Sequence, residues 1–194
     1  FLPILLLLIG EDLRNLSNLF GDSEIRRAFL LTGITATAST FFLSLFGIPL
    51  AYALSRLRFK CKTLLLSLID LPVIIPQSAA GIALLRCFSR QQYLGELFYR
   101  WTGLQVDGTV LGICLAQIFV SMPFLVKTAW SSFEGIPASL ENTARTLGAS
   151  PWKSFLHVSL PLASKGIFAG MVLAWARAAG EFGAVLFIAP YPLT

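Results

Sequence analysis

The sequence predicts an all-α fold, a polytopic transmembrane bundle with about five spans visible. Three observations predict it. The 194 residues are 56% hydrophobic and only 13% charged, where soluble domains carry about 25% charged residues. Long apolar runs alternate with short polar segments, as membrane-spanning helices of about 20 residues require. A basic loop, Ser55 to Lys62, holds Arg56, Arg58, Lys60 and Lys62 with no acid, which places it on the cytoplasmic side.

The elements follow in order. Leu2 to Ile9 is apolar but too short to span, and reads as the tail of a helix that starts before Phe1. Phe29 to Leu54 is the first full apolar segment, with Pro49 placed to kink it. Thr63 to Leu85 is the next, interrupted by Pro72 and Pro76 and carrying Asp70 and Gln77. Arg86 to Gly108 reads as a mixed external loop whose aromatic residues suit a membrane interface. Thr109 to Trp130 spans again, Ser131 to Ser164 is a polar-faced cytoplasmic insert, and Ile167 to Pro190 is the last span. The chain leaves that span and stops at Thr194, so it is expected to be truncated at both ends.

The insert is the most informative segment. Ser139 is expected to cap a helix starting at Leu140, with Glu141 in its first turn at the positive dipole end. Leu140, Ala144 and Leu147 recur on one face. Gly148 stands where a helix closes through a left-handed residue. Ser150 then caps a second short helix with Pro151 at its first position, which Leu160-Pro161 is expected to end. Two short helices meeting at a Gly148-Ala149-Ser150 corner let another protein's backbone approach closely. An ordinary interfacial hairpin on the bilayer fits the same pattern.

Two polar constellations fall inside the apolar segments. Arg177 and Glu181 are four residues apart on one helix face. Counted from Ile167, Arg177 falls near mid-bilayer, where an isolated charge costs about 2.5–3.5 kcal/mol on the mildest scale. An ion pair lowers that cost, and it serves either helix packing or the lining of a pathway. The small residues around it, Ala174, Ala176, Ala178, Ala179 and Gly180, suit close helix contact or a narrow passage. In Asp70 to Gly81, Pro72 and Pro76 free backbone carbonyls, and Gln77 and Ser78 add side-chain donors. A kinked packing helix is the plainer alternative.

Composition excludes other classes. The net charge of +5 has no basic stripe interleaved with aromatics, so nucleic acid is not an expected partner. The single histidine, His157, and three scattered cysteines, Cys61, Cys87 and Cys114, make no metal or disulfide pattern. No cofactor is expected. A membrane hydrolase would need a nucleophile–base pair or metal ligands, and the sequence has neither HExxH nor GxSxG.

Glu141 to Pro161 resembles the Glu-Ala-Ala loop of ATP-binding-cassette importer permeases. Glu141, Gly148, Leu160 and Pro161 match at that family's spacing, while Asn142 and Thr143 replace its alanines and Ala144 follows. Gly180-Glu181-Phe182-Gly183-Ala184 resembles the last shared stretch of the molybdate, tungstate and sulfate permeases, and Asp70 to Gly81 resembles their LPxxxPxxxAG run. The resemblance implies one transmembrane permease domain over 1–194, present as a fragment, with 131–164 as its coupling insert. It implies that Glu141, Ala144, Gly148, Ala149, Ser150, Leu160 and Pro161 couple to an ATPase, and that Pro76, Gln77, Ser78, Arg177 and Glu181 belong to a translocation pathway. The implied partners are ATP-binding-cassette ATPase subunits, an external substrate-binding protein, a second copy of the permease and membrane lipid, in the cell's inner plasma membrane. The implied cargo is molybdate or tungstate, with sulfate or thiosulfate as the alternative. A passive channel or scaffold is the reading from another class.

Overall fold

The computed structural model describes residues 23–57 and 60–181. The chain divides into two compact units, residues 1–34 and 35–194.

The first apolar segment folds as α1, Ser23–Arg56, with Pro49 inside the helix. In its 35–56 portion, Ala36, Ser39, Leu43, Ala51 and Leu54 form a buried stripe, while Phe41, Phe42, Leu45 and Phe46 are exposed. Large apolar side chains facing outward, with small and polar ones inward, are what a lipid-bathed helix calls for. The second apolar segment is two helices, α2 (Lys62–Ile74) and α3 (Gln77–Phe88), bent by 113° at the break. Pro72 is accommodated within α2, and Pro76 immediately precedes α3. Pro76 has no N–H to continue the ladder and biases Ile75 towards extended backbone, which it adopts at ψ 134°.

The expected loop at 86–108 contains a helix, α4 (Tyr93–Thr102), closed by Gly103 at φ +70°. Its exposed Tyr93 and Trp101 and its Glu96–Arg100 pair at 2.6 Å make it amphipathic, as an interfacial helix should be. α5 runs Val110–Glu134, at 25 residues about 37 Å long and enough to cross a bilayer core. Then come α6 (Ala138–Thr146), α7 (Pro151–Ser154), a π-helical turn (Phe155–Ser159) and α8 (Leu160–Ala179).

Three helix boundaries differ from expectation. α6 starts at Ala138 after Pro137, without a side-chain cap from Ser139, because Pro137 itself sets the turn into the helix. Pro161 ends nothing. The helix continues from Pro151 to Ala179 as one candidate span of 29 residues. The π turn, in which the Leu160 N–H bonds to the Phe155 carbonyl, widens the helix just before the proline ring. Consequently the last span begins well before Ile167, and Arg177 lies in the last turn of α8 rather than near its middle. Among the described residues, three helices are long and apolar enough to cross a membrane, or four if the bent α2–α3 pair counts as one span. The expected stretches Leu2–Ile9 and 182–190 lie outside the described residues.

α5 and α8 pack extensively against each other. Small residues make it possible. A Cβ on Gly166 would lie 2.8 Å from Ser132 Cβ, and one on Gly170 would lie 3.1 Å from Thr128 Cβ and 3.4 Å from the Leu125 carbonyl. Gly166 and Gly170, with Ala163 and Ala174 buried beside them, bring the backbones together over several turns. Gly166→Val is therefore expected to destabilise the chain by about 1–3 kcal/mol through overpacking. Thermal unfolding in detergent should show the loss, with partial recovery when Ser132→Gly is added. An unchanged transition in the single variant would contradict this packing.

Candidate functional site

The C-terminal ends of α1 and α5, with α6 and the π turn, converge on one carboxylate. Glu141, in the first turn of α6, is 3% exposed. Its Oε1 accepts from Arg56 Nε at 2.8 Å and from Ser159 Oγ at 2.6 Å, and its Oε2 accepts from Tyr52 hydroxyl at 2.9 Å. Arg56 Nη2 also lies 2.6 Å from Oε1, as an ion-pair contact rather than a second aligned hydrogen bond. Arg56 Nη1 reaches on to the Ile136 carbonyl at 3.2 Å, tying the same guanidinium to the α5–α6 turn. Tyr52 stacks edge-on against Phe133 and at 4.6 Å against Phe155, so an aromatic wall excludes water from the carboxylate. Burial pushes the Glu141 carboxyl up, but the hydrogen bonds from Ser159, Arg56 and Tyr52 and the Arg56 charge outweigh it. They hold it below its ordinary value of 4.5.

This hub fixes the corner that follows. The Gly148 N–H bonds to the Arg145 carbonyl and the Ala149 N–H to the Ala144 carbonyl, each at 3.0 Å, with Gly148 at φ +91°. That is a Schellman closure, with the left-handed glycine just past the helix end. Space around Gly148 is open, so its backbone angle, not crowding, calls for glycine. Ser150 Oγ then accepts from the Lys153 N–H at 3.3 Å, and Pro151 occupies the first helical position of α7. Ala144, Gly148, Ala149 and Ser150 are thus joined by backbone geometry. Leu140, Leu147 and Trp152 stand exposed around them, and Leu147 is 84% exposed. The apolar face expected from Leu140, Ala144 and Leu147 is not buried within this chain. Leu160 and Pro161 lie apart from the corner, at the junction of the π turn and α8.

Residues 44–194 match the family described as the binding-protein-dependent transport system inner membrane component. The chain belongs to this family. The molybdate/tungstate transport system permease protein WtpB of Thermococcus kodakarensis is 37% identical over 193 residues, covering 100% of this chain and 72% of that protein. The molybdenum transport system permease protein ModB of Escherichia coli is 38% identical, covering 88% of this chain and 75% of its own. The sulfate transport system permease protein CysT of Escherichia coli is 39% identical, covering 87% of this chain and 60% of its own.

The other residues singled out in this permease chain are dispersed. Pro76, Gln77 and Ser78 are exposed at the α2–α3 bend. Arg177 Nη1 lies 2.7 Å from Glu181 Oε2 at the end of α8, with the glutamate side chain fully buried. Sequence reasoning missed the partners of Glu141. Arg56 reads as one of several positive-inside charges, and Tyr52 and Ser159 as span and helix residues. It also missed a buried cluster in which Gln117 Nε2 donates to Thr35 Oγ1 at 3.2 Å while Gln117 Oε1 accepts from Ser39 Oγ at 3.0 Å. The available signal was the four-residue spacing of Thr35 and Ser39 within an apolar run, facing the single glutamine of α5.

Removing the Glu141 charge leaves Arg56 half-buried without its partner. Glu141→Gln is expected to cost about 3 kcal/mol, the lower end for breaking a buried pair, read by thermal unfolding in detergent. The pH dependence has a definite sign. A carboxyl whose folded value is depressed contributes stability that is fully present above its ordinary 4.5 and is lost as pH falls through the lower folded value. The wild-type chain should therefore lose more stability than Glu141→Gln does on acidification from 4.5 down through the lower folded value. Parallel acid profiles for the two would refute the carboxylate's role.

Proposed function

We propose that the chain is the membrane-spanning permease subunit of an ATP-driven importer for a tetrahedral oxyanion, molybdate or tungstate first and sulfate second. The supporting observation is the pinned corner. A buried, charge-paired Glu141 joins α1 to α6 and the π turn, leaving the Gly148–Ser150 turn and apolar Leu147 and Trp152 facing out of the chain. Force applied at such a corner passes into two spans without being absorbed by a flexible loop. A passive channel has no use for that rigidity. Family membership and relatives with molybdate, tungstate and sulfate in their names support the cargo.

In this reading the subunit performs no bond chemistry, and ATP is hydrolysed on separate ATP-binding-cassette subunits that receive the corner. An external binding protein delivers the anion, and two copies of the permease in the inner plasma membrane form the passage. Residues 131–164 serve as the coupling insert of a single permease domain. Glu141 acts by positioning, while Ala149, Ser150 and their exposed neighbours make the contact. Pro76, Gln77, Ser78, Arg177 and Glu181 are assigned to the pathway.

Uptake of molybdate, tungstate and sulfate into vesicles holding the full-length permease, its ATPase and its binding protein tests this. Gly148→Asp adds a carboxylate at the exposed corner and strains its positive-φ backbone by about 1–2 kcal/mol, so it should abolish ATP-dependent uptake while the permease still reaches the membrane. Uptake without ATP, or indifference to Gly148→Asp, would support a channel or scaffold instead. Arg177→Ala should impair uptake with ATPase docking preserved. Normal uptake at normal expression would remove Arg177 from the pathway.

A further inference from the structure

Two ion pairs run along the seam between α2 and α5. At the cytoplasmic end Lys62 Nζ lies 3.8 Å from Glu134 and 5.2 Å from the centre of the Trp130 ring. Two turns further in, Lys127 Nζ donates to Asp70 Oδ2 at 3.0 Å. Asp70 is eight residues along α2 from Lys62, and Lys127 seven residues back along α5 from Glu134. The inner pair therefore lies about 10–12 Å inside the outer one at helical rise. α5 is otherwise an inward-facing helix. Among the described residues 112–130, Lys127 alone is exposed, so the one charge in this stretch is the one that points out of the chain.

That placement selects the environment. A charged pair within a span avoids hydrocarbon and faces a bundle interior or a watered cavity. The Lys127 side chain is 45% exposed and the Asp70 side chain 33%, so the surface they share is not lipid-facing in the assembled transporter. The pair is electrically neutral when nothing else is present. An ammonium has three N–H donors on a flexible stem, and Asp70 uses one of them. Arg177 is less free, since its partner Glu181 is fully buried at the end of α8. Lys62 sits at the mouth rather than within the span.

We propose that Lys127 is an oxyanion-contacting residue of the translocation pathway, with Asp70 as the resident counter-ion that the passing dianion displaces and that reclaims the lysine afterwards. This rests on the oxyanion-importer reading above. The exchange keeps the cation compensated at every stage, and it makes the contact weak because the anion must compete with a fixed carboxylate. Weak holding is what passage needs. A site that binds tightly does not release.

The test is uptake kinetics in vesicles holding the full-length permease with its ATPase and binding protein. Lys127→Met should lower the maximal uptake rate roughly tenfold or more, with assembly and basal ATP hydrolysis retained, and Lys127→Arg should restore much of it. Asp70→Asn frees the lysine, so half-saturation should shift to lower anion concentration while the maximal rate falls. The decisive variant is Asp70→Leu with Lys127→Met. A pair that only packs helices is replaceable by apolar residues with little loss, so wild-type uptake by the assembled double variant would overturn the proposal. Assembly with uptake still lost is the expected result. If Lys127→Met fails to assemble, the double variant, which carries no unpaired charge, decides. An unchanged half-saturation in Asp70→Asn would also count against it. Wild-type vesicles without ATP-driven oxyanion uptake would refute the importer reading itself, and this inference with it. ATP-driven uptake that the double variant preserves refutes this inference alone.

Discussion

The Glu141 carboxylate is the point on which the junction of α1, α6 and the π turn in this permease depends. A buried carboxylate is tolerable only when its charge and lone pairs are matched. Here three donors from two directions match it. Arg56 and Tyr52 arrive from α1, and Ser159 from the π turn. Each donor in turn has its backbone fixed by a long helix. The carboxylate is thus a joint between segments 85 or more residues apart in sequence, and the aromatic wall of Tyr52, Phe133 and Phe155 keeps water from competing for it.

From this joint the chemistry of the corner follows by local rules. The Schellman closure at Gly148 and the Ser150–Pro151 start of the next helix need no tertiary help. Their orientation does need it, and Glu141 supplies the orientation. The π turn belongs to the same design. It places Ser159 within reach of Glu141 and takes Pro161 into a helix that continues to Ala179, so the corner connects rigidly to α8 and, through Gly166 and Gly170, to α5. Polar bonds at the Glu141 end and small-residue packing along the spans therefore do different tasks. The first orient the corner, and the second holds α8 against α5.

Polar groups inside the spans divide by exposure. Thr35, Ser39 and Gln117 are buried and bonded to one another, which suits a lock between α1 and α5. Asp70 and Lys127 are paired yet open on one side, which suits a surface that meets water or cargo. Arg177 and Glu181 fall between, with the acid buried and the base partly open. Burial separates these roles where residue type alone does not.

Much of the fold was legible in the sequence because apolar length, turn residues and charge bias are local quantities. The helical bundle, the break at Pro76, the left-handed Gly148 and the Ser150 cap all follow from nearest-neighbour chemistry. The start of α6, the passage of α8 through Pro161 and the helix at 93–102 did not, because a proline or a polar stretch admits more than one backbone and packing selects among them. For the site, the Glu-to-Gly segment announced itself, but what Glu141 holds did not. Arg56, Tyr52 and Ser159 are unremarkable in their own stretches of sequence. Likewise Lys127 reads as a stray charge until the fold sets it 3.0 Å from Asp70. The sequence by itself determined that the chain is a helical bundle and where the Pro76 break and the Gly148–Ser150 corner fall. Only the tertiary structure decided which charges meet, because ion pairing depends on through-space distance and burial, and neither is encoded in any local window.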